Sequence, residues 1–127
     1  MQFPPVCPEI PVADLTRALA YYRDQLGFMI DWSDEQLGLA GLSRGAARVF
    51  MASAEYRSGR GARGPMVLWL NLADRAEVDA LYGEWVAAGA RIAAPPEAMP
   101  FKLYEFHAQD IDGNGFRVFY DFAWEER

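Results

Sequence analysis

Apolar residues recur with helical spacing in two segments of the chain. In DLTRALAYYRDQLGF, Leu15, Ala18, Leu19, Tyr22 and Leu26 fall at i, i+3, i+4, i+7 and i+11, which is one stripe of a helix. Asp14 stands where an N-cap belongs and Gly27 where a helix stops. DRAEVDALYGEWVAAGA repeats the design. Val78, Leu81, Tyr82 and Trp85 form its stripe, Asp74 and Glu77 have capping-box spacing, and Gly89 ends it. The remaining apolar residues alternate or run in short blocks. They predict strands over Val6–Val12, Phe28–Trp32, Leu37–Leu42, Ala47–Ala52, Met66–Leu72, Arg91–Ala93, Tyr104–Gln109 and Phe116–Asp121. SAEYRSGRGARGP, rich in Gly and basic residues, predicts a mobile linker or loop. APPEAMPF, with three prolines, predicts an extended loop.

The two halves repeat. Each has a strand, an Asp-capped helix ending in Gly, then further strands, the last containing Arg-Val-Phe: Arg48 to Phe50 and Arg117 to Phe119. The predicted class is α+β, a single domain over 1–127 with one βαβββ module over about 1–58 and a second over about 65–127. Paired, the modules would form a curved mixed sheet around a cleft, with the helices on the outer face. Strand alternation sends Ile10, Val12, Leu68, Leu70, Leu72 and Val118 toward the helices. It sends Cys7, Glu9, Arg48, Phe50, Val67, Trp69, Arg117 and Phe119 the other way, into the cleft.

Composition narrows the function. The 127 residues are 52% hydrophobic, enough for a compact core. A net charge of −6 argues against nucleic acid and favours a cationic ligand. Cys7 is the lone cysteine, so neither an internal disulfide nor a cysteine zinc site is available. The start, MQFPPVCPEI, lacks the basic and apolar runs of a signal peptide, and no apolar run nears the roughly 18–20 residues of a membrane span. The expectation is a cytoplasmic protein with no membrane partner.

DIDGNGFRVFYD, Asp110 to Asp121, has the acidic spacing of a calcium loop, but Arg117 takes the usual apolar eighth position and FRVFY has strand character. Asp112-Gly113 and Asn114-Gly115 favour a tight turn feeding a strand. Glu105 and His107, two apart on a predicted strand, share a face, and Glu9 would join them if register allows. That trio is the candidate for a displaced metal or acid–base site. The bland reading is a partly exposed His beside a Glu bound to Arg or backbone.

IPVADLTRALAYYRDQLGF, LAGLSRGAARVFMAS and YEFHAQDIDGNGFRVF resemble the vicinal oxygen chelate superfamily of glyoxalases, extradiol dioxygenases and bleomycin-resistance proteins. The usual Asp-Pro-Asp-Gly-Asn has Ile111 in place of Pro. Counting as in the metal-using relatives, the resemblance puts the ligand positions at Cys7, Val67 and Arg117. Valine has no lone pair, and a guanidinium repels a divalent cation. The resemblance is therefore nearest the bleomycin-resistance branch, which binds its drug without metal ligands. There Trp32 and Phe101 would sandwich a planar group, Trp69 would face the cleft, and Tyr104 and Glu105 would match a polar-aromatic stretch, with Phe at 101 and Tyr at 104 departing from the usual Trp and Arg.

The resemblance thus implies a metal-free protein with no cofactor. It would sequester a planar cationic or polar compound in an aromatic, acidic cleft and would be antibiotic-resistance-like. Its expected ligand-binding residues are Trp32, Trp69, Phe101, Tyr104, Glu105, Phe50, Arg117 and Phe119. It also implies a homodimer, and the proline-rich FPPVCPEIP suits an exchanged N-terminal strand. The alternative is a metal-dependent lyase, isomerase or dioxygenase with a site from Glu9, Glu105 and His107.

Overall fold

The computed structural model describes residues 1–58 and 64–126. The chain divides into two compact units, Met1–Pro65 and Met66–Arg127. In the first, Asp14 accepts a hydrogen bond from the Arg17 amide at 3.0 Å and starts α1, Leu15–Asp24. In the second, Asp74 accepts from the Glu77 amide at 2.8 Å and starts α3, Arg75–Ala87. Gly27 and Gly89 take φ of 77° and 81° and turn the chain out of these helices, as the sequence predicted.

The first unit holds β1 (Glu9–Pro11), α1, β2 (Met29–Asp34), β3 (Leu39–Arg44), β4 (Ala47–Ala52) and a short helix α2 (Ala54–Arg57). The second holds β5 (Val67–Asn71), α3, β6 (Arg91–Ala98), β7 (Leu103–Gln109), β8 (Gly115–Asp121) and a 3-10 turn over Phe122–Glu126. Each unit is therefore a βαβββ module with its own four-stranded mixed sheet, ordered β1-β4-β3-β2 and β5-β8-β7-β6. β1 runs parallel to β4 and β5 parallel to β8, while the other pairings are antiparallel.

One face of each sheet packs on its helix. In the first unit Ile10, Val12, Leu42, Val49 and Met51 are buried with the whole predicted α1 stripe. In the second, Trp85 of α3 meets Phe106 and Phe116 edge-on, each at 5.7 Å between ring centroids, with Val78 and Val118 also buried. Burying side chains of this size contributes about 1.5–3 kcal/mol each, which is the main term holding both modules. Among the described residues no helix is long and apolar enough to cross a membrane.

Several boundaries differ from expectation. The strand expected over Val6–Val12 shrinks to Glu9–Pro11, with Pro8 just before it and Pro11 at its end, neither of which can donate to a ladder. The strand expected from Leu37 begins at Leu39. Asp34 instead closes a turn, its side chain accepting from the Leu37 amide at 2.9 Å and its carbonyl from the Gly38 amide at 2.8 Å. The supposed linker begins as α2, capped by Ser53, which accepts from the Tyr56 amide at 3.2 Å. Residues 59–63 of that segment lie outside the described residues. APPEAMPF is strand as far as Ala98 rather than loop. β6 is an edge strand, and its register slips between Ala94 and Glu97, where Pro95 and Pro96 have no amide to offer.

DIDGNG is a closed turn. Asp110 is fully buried, and its Oδ1 accepts from the Asp112 and Asn114 amides at 2.8 and 2.9 Å. Its Oδ2 accepts from Asn114 Nδ2 at 2.8 Å. Asn114 Oδ1 in turn accepts from the Met66 amide at 2.8 Å, which ties the turn to the entry of β5. Both carboxylate oxygens that a calcium loop would aim at an ion are spent on N–H groups.

Candidate functional site

The helix-free face of each sheet carries the residues singled out by strand alternation. On the first sheet, Trp32, Gly41, Phe50 and Glu9 lie in one row across β2, β3, β4 and β1. The register of β2 shifts between Ile30 and Trp32, which sets the indole on this face. Trp32 leans across Gly41 until its ring lies 5.8 Å from Phe50, tilted by 57°, and it remains 41% exposed. The row is an aromatic shelf with a carboxylate at one end.

On the second sheet, Trp69, Arg117 and His107 form a row across β5, β8 and β7. Asn71, Phe119 and Glu105 form the next. Glu105 is the centre. Its side chain is 1% exposed, and its Oε2 takes Arg117 Nε at 2.9 Å, Arg117 Nη2 at 2.8 Å and His107 Nε2 at 2.5 Å. Its Oε1 is buried and has no hydrogen-bond partner among the described residues. The Arg117 guanidinium also lies over the Trp69 ring, 4.2 Å from its centroid, and Phe119 meets Trp69 edge-on at 5.6 Å. The sequence offered Glu105 an unspecified arginine or backbone partner and did not single out Arg117, because strand pairing decides which acid an arginine meets.

Of the other expected binding residues, Phe101 lies exposed in the β6–β7 turn, where Lys102 takes a φ of 69°. Tyr104 does not share the face of Glu105. One residue from Glu105 in an alternating strand, it points to α3. Its hydroxyl donates to Asp79 Oδ1 at 2.6 Å, and Arg75 lies between it and Phe122, 5.3 and 4.6 Å from the two ring centroids. The hydrogen bond to Asp79, followed by burial, raises the Tyr104 pKa above the usual phenol value.

The residues do not fit a chelated divalent cation. Glu105 Oε2 is already taken by a guanidinium 2.8 Å away, which would repel any metal bound there. Glu105 and His107 meet on the second sheet, and Glu9 belongs to the first. Among the described residues no group of three His, Cys, Asp or Glu side chains is placed to hold a metal ion. A separate polar hollow of about 210 Å³ beside α1 is lined by Asp14, Thr16, Glu35, Ser53 and Glu55. Asp14 and Ser53 there serve as helix caps, and Glu35 accepts from Thr16 Oγ1 at 3.4 Å.

A sequence model described as the Glyoxalase/Bleomycin resistance protein/Dioxygenase superfamily matches residues 5–118. The chain belongs to this superfamily. No protein of curated function matches it. Solved structures of superfamily type share the fold at low identity. A glyoxalase/bleomycin resistance protein/dioxygenase from Nocardioides is 17% identical with a TM-score of 0.77, over 94% of this chain and 85% of that one. A lactoylglutathione lyase from Agrobacterium tumefaciens is 21% identical with a TM-score of 0.77, over 94% and 96%. A bleomycin-binding protein from Streptomyces verticillus, solved with copper(II)-bleomycin, is 24% identical with a TM-score of 0.71, over 93% and 96%. A protein named as bleomycin-binding and one named as a lyase thus share this scaffold, so function is to be read from side chains and not from the fold.

Proposed function

We propose that this superfamily member is a metal-free small-molecule binding protein that sequesters a planar cationic or polar compound without making or breaking a bond. The carrying observation is the row of Trp32, Gly41, Phe50 and Glu9, an exposed aromatic shelf ending in a carboxylate. Stacking on such a ring contributes about 1–3 kcal/mol per contact. The net charge of −6 raises the local concentration of a cation and its rate of arrival. Arg117, locked onto Glu105 where the metal-using relatives place a chelating acid, supports binding over metal catalysis. Trp69, Phe119 and Phe101 supply further aromatic surface. Within this reading the protein works in the cytoplasm as a homodimer, with its proline-rich N-terminal arm exchanged between subunits.

Tryptophan fluorescence tests it. Titration with planar cationic dyes and with bleomycin should quench emission saturably for at least one compound, and Trp32→Ala should weaken that binding about tenfold or more. Absence of binding across such a panel, or binding untouched by Trp32→Ala, refutes it. A second reading, a metal-dependent lyase, isomerase or dioxygenase, rests on the contact of Glu105 with His107. Stoichiometric divalent metal in protein purified without chelators, lost in His107→Ala, would favour that reading instead.

A further inference from the structure

On the second sheet Arg117 is held from two sides. Its guanidinium lies over the Trp69 ring, 4.2 Å from the centroid, and its Nε and Nη2 sit 2.9 and 2.8 Å from Glu105 Oε2. A guanidinium carries five N–H donors in one plane, one on Nε and two on each Nη. The Nε hydrogen and one Nη2 hydrogen form the edge that grips Glu105, and the 3.1 Å contact of Nε with His107 Nε2 draws on the same edge. Arg117 keeps all five hydrogens whatever protons Glu105 and His107 carry, because a guanidinium stays charged. Five less two leaves three, two on Nη1 and one on Nη2. Among the described residues none of the three meets an acceptor, and Nη1 is not shut off from solvent. There is room beside the guanidinium. Gly115 holds the neighbouring row between Val67 and Gln109 on the same face. A Cβ there would find its nearest contact, beyond the adjoining residues, in the Val67 side chain at 3.8 Å. Trp69 remains 48% exposed, and all these residues belong to the second unit.

We propose that the free end of the Arg117 guanidinium, on the second sheet alone, binds the carboxylate of a flat aromatic acid. This goes beyond the reading above, whose carrying residues lie on the first sheet. One hydrogen of Nη1 and the remaining hydrogen of Nη2 run parallel and match the two oxygens of a carboxylate, a fit that a lysine ammonium cannot reproduce. The ring of the acid packs against the exposed indole of Trp69 and over Gly115. Glu105 and Trp69 already fix the guanidinium, so little side-chain freedom is lost on binding. The net charge of −6 opposes an anion, but at physiological salt charges beyond about 8 Å are largely screened, and the fork in contact with the carboxylate outweighs them.

Calorimetric titration of the full chain at about 0.15 M salt tests the site with 2-naphthoate and its methyl ester, which share a ring and differ in the charged oxygen pair. The wild-type protein should bind the acid about tenfold more tightly than the ester, against the sign of its own net charge. Arg117→Lys keeps the charge, loses the fork and should erase that preference. Trp69→Leu leaves the pair of Glu105 with Arg117 in place and should weaken acid and ester together, which reads the same site even if the lysine variant does not fold. Trp32→Ala, on the first sheet, should leave the affinity for the acid as it is. No binding of the acid, equal affinities, or a preference that survives Arg117→Lys overturns the proposal, as does an affinity untouched by Trp69→Leu. Loss of the acid in Trp32→Ala also overturns it and assigns the ring to the first-sheet shelf. The reading above is tested apart, since it turns on planar cations and Trp32.

Discussion

The indole of Trp32 fills the space that a side chain at Gly41 would need: a Cβ there would lie 2.4 Å from Trp32 Nε1. The shelf on the first sheet exists because β3 offers no side chain at this point. Gly41→Ala should expel the ring from Phe50. Trp32 is 41% exposed and can swing into solvent, so the stability cost should be small for a core-strand change, about 1 kcal/mol. The binding cost should be larger and should approach that of Trp32→Ala. Chemical denaturation and dye titration of the same variant separate the two effects, and an unchanged dye affinity would show that the shelf is not where the ligand rests.

The Asp110 turn should behave as structure. Asp110→Ala would strip partners from the Asp112 and Asn114 amides and from the Asn114 side chain, in a buried place. A buried donor left unmet costs about 1–3 kcal/mol, so the variant should lose at least about 3 kcal/mol in urea unfolding. Millimolar calcium should leave the wild-type melting temperature unchanged, since a ligand bound only by the native state would raise it.

Periodicity and capping carried much of the fold. The α1 and α3 stripes, the aspartate caps and the alternation that separates Trp69 and Arg117 from Leu70 and Val118 all follow from local chemistry, which the surroundings do not alter. What escaped was set by pairing. Pro95 and Pro96 read as loop because an edge strand with a slipped register tolerates missing amides, and edge position is not local information. Tyr104 was placed beside Glu105 by similarity of motif. The pleat puts neighbours on opposite faces, and a strict count from Phe106, which packs on Trp85, would have assigned Tyr104 to α3. The partner of Arg117 depended on the register of β7 against β8, which sets Glu105 opposite Phe119, one step along from Arg117.

Glu105 and Arg117 should be strongly coupled in stability. Arg117→Met leaves a buried carboxylate with only His107 to meet it. The loss should fall at the lower end of the roughly 3–5 kcal/mol seen when one member of a buried pair is removed, since Arg117 is itself partly exposed. Glu105→Gln should cost less, because the freed guanidinium can reach water. The double variant should be more stable than the sum of the single losses implies, with a coupling of about 1–3 kcal/mol in a denaturation cycle. Simple additivity would mean that the pair is not formed in solution.

Tyr104 gives the clearest pH signature. Its hydroxyl donates to Asp79, and this contact raises its pKa in the folded protein. The stabilisation is therefore complete below the ordinary phenol range near pH 10 and is lost as pH rises through the raised folded value. Tyr104→Phe should destabilise the protein at neutral pH by about 0.5–1 kcal/mol, a modest figure because the contact is solvent-accessible. The gap between variant and wild type should close as the solution is made alkaline beyond that range. Urea midpoints of the two proteins at pH 7 and at several steps above pH 10 would follow the convergence. A gap that stayed constant would assign the loss to packing against Arg75 rather than to the hydrogen bond, since Arg75 remains charged throughout.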